Sequence, residues 1–214
     1  MLMSTTTDFI QPYIDHVLAQ GSRPASVYVF AQTLGSTERS FYAQYASFDA
    51  LEQAVFRRYF DDAHQRLEGS PEFAGYSARE KVLGLFFTWF EILRDARSVV
   101  VFLDQSGDWY APAAAYTAAT KAPFKVLMKG ILKSGTDAGE IADRLLLPGI
   151  YQDGLWAWAL FLLRFWLSDT SPNFERTDVA IEKGVNFIFD LIQPNSLDSG
   201  VDLLRFLWQP SSHA

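Results

Sequence analysis

The sequence predicts an all-α protein, and three observations support this prediction. Apolar residues recur at intervals of three and four along most of the 214 residues, which is the spacing of one face of a helix. Residues that start and stop helices punctuate these stretches, as at the capping box Ser77–Glu80 and at Pro194. Near the amino end, two short helical patterns meet at Gly35, which is typical of a helix-turn-helix.

The boundaries of the helices follow from caps and breakers. A threonine at position 5, 6 or 7 can cap the first helix, and Thr37 and Ser47 can cap two later ones. Gly35 allows a left-handed turn at low steric cost, and Pro148-Gly149 predicts a break before a strongly apolar helix. The predicted helices cover roughly residues 8–19, 27–34, 37–45, 48–67, 77–94, 98–103, 113–133, 150–167, 177–192 and 199–208.

Composition excludes several classes of protein. The chain is 49% hydrophobic and 15% aromatic, so it can bury a core and is not a disordered polypeptide. It has no cysteine, which excludes disulfides and a cysteine nucleophile and fits a reducing compartment. The amino end has no signal-peptide pattern, and the most apolar stretch is shorter than the ~20 residues of a bilayer span. We therefore expect a cytoplasmic protein without a membrane span.

The helix-turn-helix stretch carries a resemblance to a known family. It resembles the DNA-binding head of the TetR family of bacterial repressors, whose pattern is roughly T-V-x-x-I-A-x-x-A-G-V-S-x-G-T-L-Y-x-H-F-x-S-K-E-x-L. Three positions depart from that pattern, namely Ser36, Arg39 and Phe48, and at the last of these the family usually has a phosphate-contacting lysine. The residues that are identical or similar in kind are Ser26, Val27, Phe30, Ala31, Gly35, Thr37, Ser40, Phe41, Tyr42, Tyr45, Ser47, Asp49 and Leu51.

The second helix of this motif is the first candidate site. In a helix-turn-helix, the amino-terminal residues of this helix approach base edges in the major groove. Arg39 can donate two hydrogen bonds to guanine, and Glu38 can accept one from cytosine. The resemblance implies that Ser26, Tyr42 and Gln44 contact phosphate. The predicted DNA-binding residues are therefore Ser26, Thr37, Glu38, Arg39, Ser40, Tyr42 and Gln44.

The charge of the predicted head opposes DNA binding. The whole chain has a net charge of −7, and residues 1–60 contain four arginines, five acidic residues and no lysine. Because Lys and Arg supply most of the sequence-independent affinity for DNA, such a head should bind weakly, or only when two heads act together. The alternative is a retained fold that no longer binds DNA.

The aromatic residues of the body are the second candidate site. Two predicted helices carry large aromatic side chains that can line an apolar cavity, and ligand pockets often lie between the helices of bundles. A solid core or a dimer seam is the other interpretation, since an aromatic stripe at helical spacing is usually core. The resemblance favours a cavity for a small hydrophobic ligand. The predicted lining residues are Phe86, Trp89, Phe90, Trp156 and Phe161.

The last two long helices are the candidate dimer interface. In the TetR family the corresponding helices pair with their two-fold mates, so the resemblance implies a homodimer through Trp156–Trp166 and Thr177–Ile192. Gly184 offers a point of close approach. The predicted tail helix, residues 199–208, can cover part of the same surface. Four lysines at positions 121, 125, 129 and 133 form a basic stripe, which is either a solvated face or a site for a phosphate or a lipid headgroup.

No constellation of catalytic residues is present in the sequence. His16, His64 and His213 lie far apart and lack the spacing of metal ligands. There is no nucleophile elbow, no phosphate-binding loop and no dinucleotide-binding glycine pattern. The sequence therefore predicts a protein that is not an enzyme and needs no cofactor or metal.

Together, these observations predict a helix-turn-helix DNA-binding head over residues 1–48 and a helical ligand-binding and dimerisation domain over residues 49–214. The predicted function is a ligand-responsive transcriptional regulator that binds DNA as a homodimer. The alternative is a protein of the same fold that binds a hydrophobic or lipid ligand as an accessory module and does not bind DNA, as in the accessory proteins of quinone synthesis that it also resembles.

Overall fold

The computed structural model describes residues 7–104, 115–142 and 148–194 of the chain. Within these ranges the structure consists of nine α-helices and short 3-10 turns, without a β-strand, so the all-α prediction is confirmed. The predicted tail helix lies outside the described residues. The helices are α1 Ile10–Gln20, α2 Val27–Thr33, α3 Glu38–Tyr42, α4 Phe48–Glu68, α5 Ala78–Asp95, α6 Arg97–Leu103, α7 Ala118–Asp137, α8 Pro148–Ser168 and α9 Glu175–Ile192.

The chain folds as two compact units. The first contains Met1–Arg66 and Thr88–Pro123, and the second contains Leu67–Phe87 and Phe124–Ala214. The predicted head, residues 1–48, falls wholly inside the first unit. Its boundary with the rest of the chain, between residues 48 and 49, stays a prediction.

Aromatic side chains form the core of the first unit around the helix-turn-helix. The ring of Phe41 lies 5.3 Å from Phe9 and 5.6 Å from Phe48, measured between centroids. Phe48 also lies 5.9 Å from Phe30 and stacks on Tyr13 at 5.6 Å. Each buried aromatic side chain contributes roughly 1.5–3 kcal/mol to folding, and this cluster holds α3 against α1, α2 and α4. Phe48 therefore replaces the family's lysine with a half-buried side chain that packs against the aromatic core.

Two capping predictions have opposite outcomes. The capping box is present, since the backbone N–H of Ser77 donates to Glu80 Oε2 at 2.8 Å and the N–H of Glu80 donates to Ser77 Oγ at 3.2 Å. The prediction of a threonine cap on α1 is wrong. Thr7 instead pairs with the hydroxyl of Ser36 at 3.2 Å, and the carboxylate of Asp8 accepts the N–H of Ile10 at 2.9 Å.

The start of α9 is held by a carboxylate from before the helix. Asp169 is buried, and its Oδ2 accepts hydrogen bonds from the N–H and the hydroxyl of Thr177 at 3.0 and 2.7 Å. Its Oδ1 accepts from the N–H of Ser171 at 2.9 Å. Burial is the largest single influence and raises the pKa of Asp169, but the hydrogen bonds from Thr177 and Ser171 together outweigh it and lower the pKa to about 2.

The predicted basic stripe lies on α7, and the predicted break lies at the start of α8. Lys125 pairs with Asp153 at 2.8 Å and Lys133 with Asp137 at 2.5 Å, so half of the stripe is already neutralised. Helix α8 begins at Pro148, where the missing N–H of proline costs little. The predicted break thus coincides with the start of a helix.

Helices α8 and α9 approach closely at Gly184. A Cβ atom built on Gly184 would lie 1.9 Å from a ring carbon of Trp158, so the indole of α8 lies directly on the backbone of α9. Only glycine fits this position without moving the ring. The predicted close-approach point is confirmed.

We expect Gly184→Ala to destabilise the protein by ~1–3 kcal/mol, because the added methyl group forces Trp158 out of its position. Gly130→Ala is the matched control, since Gly130 also lies within a helix and has nothing within 4 Å of the added Cβ. The control should leave the stability unchanged or raise it by ~0.5–1 kcal/mol. Urea unfolding followed by circular dichroism measures both, and equal stabilities of the two variants would contradict the close approach.

Candidate nucleic-acid interface

Local hydrogen bonds define the turn between α2 and α3. Ser26 caps α2 by accepting the N–H of Val29 at 3.2 Å, and Thr37 caps α3 by accepting the N–H of Ser40 at 3.2 Å. Gly35 lies between the helices with φ +63°, which is the left-handed region that disfavours a side chain. The predicted Thr37 cap and the predicted left-handed Gly35 are confirmed, and with the Ser26 cap they fix the direction in which α3 leaves the turn.

Helix α3 has one buried face and one exposed face. Phe41 is completely buried, whereas Tyr42 is 53% exposed and Arg39 is exposed. Glu38 and Ser40 are half-buried. The side chain that can donate two hydrogen bonds to a base therefore lies on the open side of α3, and the side chain that packs in the core lies on the other.

The remaining predicted contact residues are also accessible. Ser26, Thr37 and Gln44 are exposed, although the side-chain amide of Gln44 donates to the backbone carbonyl of Thr7 at 3.2 Å. The sequence analysis did not single out Tyr28, which is 54% exposed on α2 and accepts a hydrogen bond from Gln32 at 2.8 Å. The spacing of these two residues by four along a helix is the only sequence signal for this pair.

A buried ionic network links α1, the α1–α2 connection and α4. The carboxylate of Glu52 is 5% exposed and accepts hydrogen bonds from Arg23 at 2.8 and 2.6 Å and from the hydroxyl of Tyr13 at 2.5 Å. Arg23 also donates to Asp49 at 2.5 Å. Burial, followed by the hydrogen bond to Glu52, raises the pKa of Tyr13 well above its usual range, so its hydroxyl keeps its proton. The sequence analysis missed this network.

Ion pairing leaves little free positive charge near α3. Arg23 is paired as described, Arg57 pairs with Asp61 at 2.7 Å, and Arg58 lies 3.9 Å from Asp62. Arg39 is the one arginine in the first 60 residues for which the described part of the chain supplies no carboxylate within 4.0 Å. The positive charge available at the open face of α3 is therefore that of Arg39.

The five predicted pocket residues have three different environments. In the second unit, Phe86 and Trp156 both contact Phe124, with centroid distances of 6.2 and 5.3 Å. In the first unit, Trp89 and Phe90 are buried, and Trp89 lies 5.2 Å from Phe60. Phe161 is 41% exposed and stacks on Trp158 at 4.9 Å. A shared cavity lined by all five stays a prediction.

An exposed apolar groove runs between α8 and α9. Its volume is about 670 Å³, and it is lined by Trp158, Phe161 and small residues on α8 and by Gly184, Phe187 and Ile188 on α9. Lys183 is the charged residue among its lining side chains. Large exposed apolar side chains on these two helices are Ile150, Phe161, Val179, Phe187 and Leu191. An apolar surface of this kind is unusual on a protein that remains monomeric.

Neither a membrane-spanning helix nor a metal-binding cluster is found among the described residues. No described helix combines the length and apolar character that crossing a bilayer requires. Within the same residues, no three His, Cys, Asp or Glu side chains cluster as a metal ion would need.

Comparison with known proteins identifies the family. The sequence profile of the tetracyclin repressor-like C-terminal domain matches residues 81–207, which is more than half of the chain. This chain belongs to the TetR family of transcriptional regulators. No curated protein matches it.

Two solved structures are similar to this TetR chain. A protein of unknown function from Rhodococcus sp. RHA1 is 16% identical, with a TM-score of 0.55 over 90% of this chain and 100% of that one. A candidate transcriptional regulator from Streptomyces coelicolor A3(2) is 14% identical, with a TM-score of 0.49 over 96% of this chain and 94% of that one. At this identity the first likeness concerns the fold alone.

The TetR profile matches the body and not the head. Residues 81–207 exclude α1 to α4, so the nature of the head depends on its own features. Those features are the two caps, the left-handed glycine and the exposed face of α3. They agree with the resemblance that residues 26–51 show to the TetR head.

We expect Glu52→Gln to destabilise this TetR chain by about 1–3 kcal/mol, because the variant leaves Arg23 partly buried beside a neutral amide. Asp61→Asn is the control, since its pair with Arg57 is exposed and should be worth less than ~1 kcal/mol. Urea unfolding measures both. A cost for Glu52→Gln no larger than that of the control would show that the network does not hold the head together.

Proposed function

We propose that this TetR-family chain is a ligand-responsive transcriptional regulator that binds DNA as a homodimer. The observation that carries the proposal is the open face of α3, where Arg39 and Tyr42 are exposed while Phe41 anchors the helix in the core. A helix-turn-helix reads DNA with this helix in the major groove. A buried Arg39 or Tyr42 would have spoken against DNA binding.

The proposed contacts divide into two groups. Thr37, Glu38, Arg39 and Ser40 lie at the amino end of α3 and face base edges, with Arg39 donating two hydrogen bonds to guanine. Ser26, Tyr42 and Gln44 contact phosphate and set the register on the duplex. Because Arg39 supplies the free positive charge of the head, two heads acting together provide the affinity that one head lacks.

The second copy docks on α8 and α9. The groove between these helices is apolar, and Phe187 is 63% exposed at its edge. Pairing through the same patch on both copies is the commonest arrangement in homodimers, and it removes this apolar surface from water. Two-fold pairing also places two heads on one duplex, with half-sites about one helical turn of DNA or a multiple apart.

The ligand is proposed to be small and hydrophobic, and to bind among the aromatic residues of the body. Of the residues that the sequence predicted, Phe86 and Trp156, which both contact Phe124 in the second unit, are the proposed lining. A ligand changes DNA affinity only if it binds one conformation of the body better than the other. Helix α4 is the proposed link, since Glu52 and Asp49 in its first turns hold Arg23 next to the helix-turn-helix.

A second candidate function is a lipid-binding accessory protein without DNA binding. The observation that favours it is the pairing of Arg23, Arg57 and Arg58 with carboxylates, which neutralises three of the four arginines in the first 60 residues. The two functions differ in their response to DNA and in what co-purifies with the protein. Lipid found by native mass spectrometry, together with no DNA binding, would support this second candidate.

A gel-shift titration on the gene's own upstream region, at low and at moderate salt, tests the proposed DNA contact. We expect Arg39→Gln to weaken binding by roughly tenfold or more, since one bidentate contact to a base is worth ~1–3 kcal/mol. Lys133→Gln is the control with the same loss of charge on the exposed surface of α7, and it should bind as the wild type does. No shift by the wild type at low salt would contradict the proposal, as would full binding by Arg39→Gln.

Sedimentation velocity tests the proposed dimer. We expect Phe187→Glu to convert the wild-type dimer into a monomer, because the substitution buries a charge in the apolar interface. Val126→Glu is the matched control, since Val126 is 72% exposed on α7 and should leave the dimer intact. A monomeric wild type, or a dimeric Phe187→Glu variant, would contradict the proposed interface.

A further inference from the structure

A second concave site lies in the first unit, and it shares no lining residue with the apolar groove of α8 and α9 or with the predicted aromatic pocket. It is a cleft of about 490 Å³ between α1, α4 and the junction of α5 with α6. This volume lies within the range of small-molecule sites, which is ~300–1,000 Å³. We call it the α1–α4 cleft.

The floor of the α1–α4 cleft is apolar. Ile14, Ile92 and Val99 line it, with exposures of 7, 9 and 2%. Tyr59 belongs to the floor as well and is 8% exposed. Burial raises the pKa of Tyr59 to about 12. Its hydroxyl, neutral at neutral pH as in any tyrosine, can donate a hydrogen bond.

The rim of the cleft carries charges of both signs in equal number. Arg58 and Arg66 are positive, Asp62 and Asp95 are negative, and Arg66 also pairs with Glu91 outside the lining at 3.4 Å. Arg58 and Asp62 are 3.9 Å apart and both more than 40% exposed, so this pair is weak and opens at low cost. Within the described part of the chain, no cationic side chain lies within 4.0 Å of Asp95.

We propose that the α1–α4 cleft binds a small zwitterion with an apolar body, of the size of an apolar dipeptide. The carboxylate of the ligand pairs with Arg58, its ammonium group pairs with Asp95, and its apolar side chains cover Ile14, Ile92 and Val99. A simple anion would meet two rim carboxylates, and a simple cation would meet two arginines. A zwitterion satisfies both signs, which is the chemistry that the balanced rim favours.

Occupation of the cleft acts on α4, the helix whose first turns hold Arg23 through Asp49 and Glu52. The zwitterion in the cleft therefore directly contacts α4, the helix that supports the head. This regulatory consequence rests on the proposed function, whereas binding of the zwitterion does not. Binding is accordingly measured without DNA, so that a failure of DNA binding leaves the result intact.

Isothermal titration calorimetry of the full chain with L-phenylalanyl-L-leucine tests the proposal. The same dipeptide with an acetylated amino group, and with an amidated carboxyl group, provides the two charge-deleted probes. We expect the free dipeptide to bind at least about tenfold more tightly than either blocked form, since each loses one charged contact. No saturable binding of the free dipeptide, or equal binding of a blocked form, would overturn the proposal.

Two substitutions assign the charged contacts separately. Asp95→Asn should weaken binding of the free dipeptide by about tenfold and leave binding of the acetylated form unchanged. Arg58→Gln should weaken binding of the free dipeptide and leave binding of the amidated form unchanged. Lys133→Gln and Asp137→Asn neutralise an exposed pair on α7 and serve as controls. Wild-type affinity in both cleft variants would place the ligand elsewhere and overturn the assignment.

Discussion

The burial of the Glu52 carboxylate is the constraint on which the geometry of the head depends. An ionised group with 5% exposure is costly unless its lone pairs are satisfied, and here Arg23 and Tyr13 supply three donors. These donors come from α1 and from the connection between α1 and α2, whereas Glu52 belongs to α4. The three segments can therefore meet in one arrangement only, because any slip leaves a buried charge without partners.

The aromatic cluster determines which face of α3 is exposed. Phe41 occupies the centre of the cluster, so the face of α3 that carries Arg39 and Tyr42 must lie outward. A five-residue helix such as α3 has little stability of its own. Its orientation depends on one buried ring on one side and on the Thr37 cap at its start. Arg39 and Tyr42 thus carry the side chains whose chemistry suits DNA, whereas the neighbouring Phe41 supplies the packing that orients α3.

The sequence predicted local features better than distant ones. The caps at Thr37 and Ser77 and the left-handed Gly35 depend on residues within four positions, and sequence spacing is enough to find them. The Glu52 network joins residues 29 and 39 positions apart, so no local pattern indicates it. The prediction of a threonine cap on α1 was wrong for a related reason, because the hydroxyl of Thr7 forms a hydrogen bond with the distant Ser36.

Tertiary packing also explains why the predicted sites were harder to derive than the helices. Phe48 replaces a lysine of the family pattern, and its stacking on Tyr13 emerges only in three dimensions. The exposure of Arg39 could be predicted from helical periodicity, since Phe41 lies two positions away on the opposite side. The environments of the aromatic body residues could not be predicted in this way, because periodicity alone does not distinguish Phe161 at the surface from Trp156 in the core.

The most direct measurement of the central claim is an amide NMR titration of the chain with a duplex from its own upstream region. If α3 reads DNA, the amides from Thr37 to Gln44 and the amide at the Ser26 cap should shift with the same saturation curve. The amides of α7 should remain unchanged. Saturable binding that shifts amides elsewhere and leaves α3 unaffected would contradict the account, and so would a spectrum that does not respond to DNA at low salt.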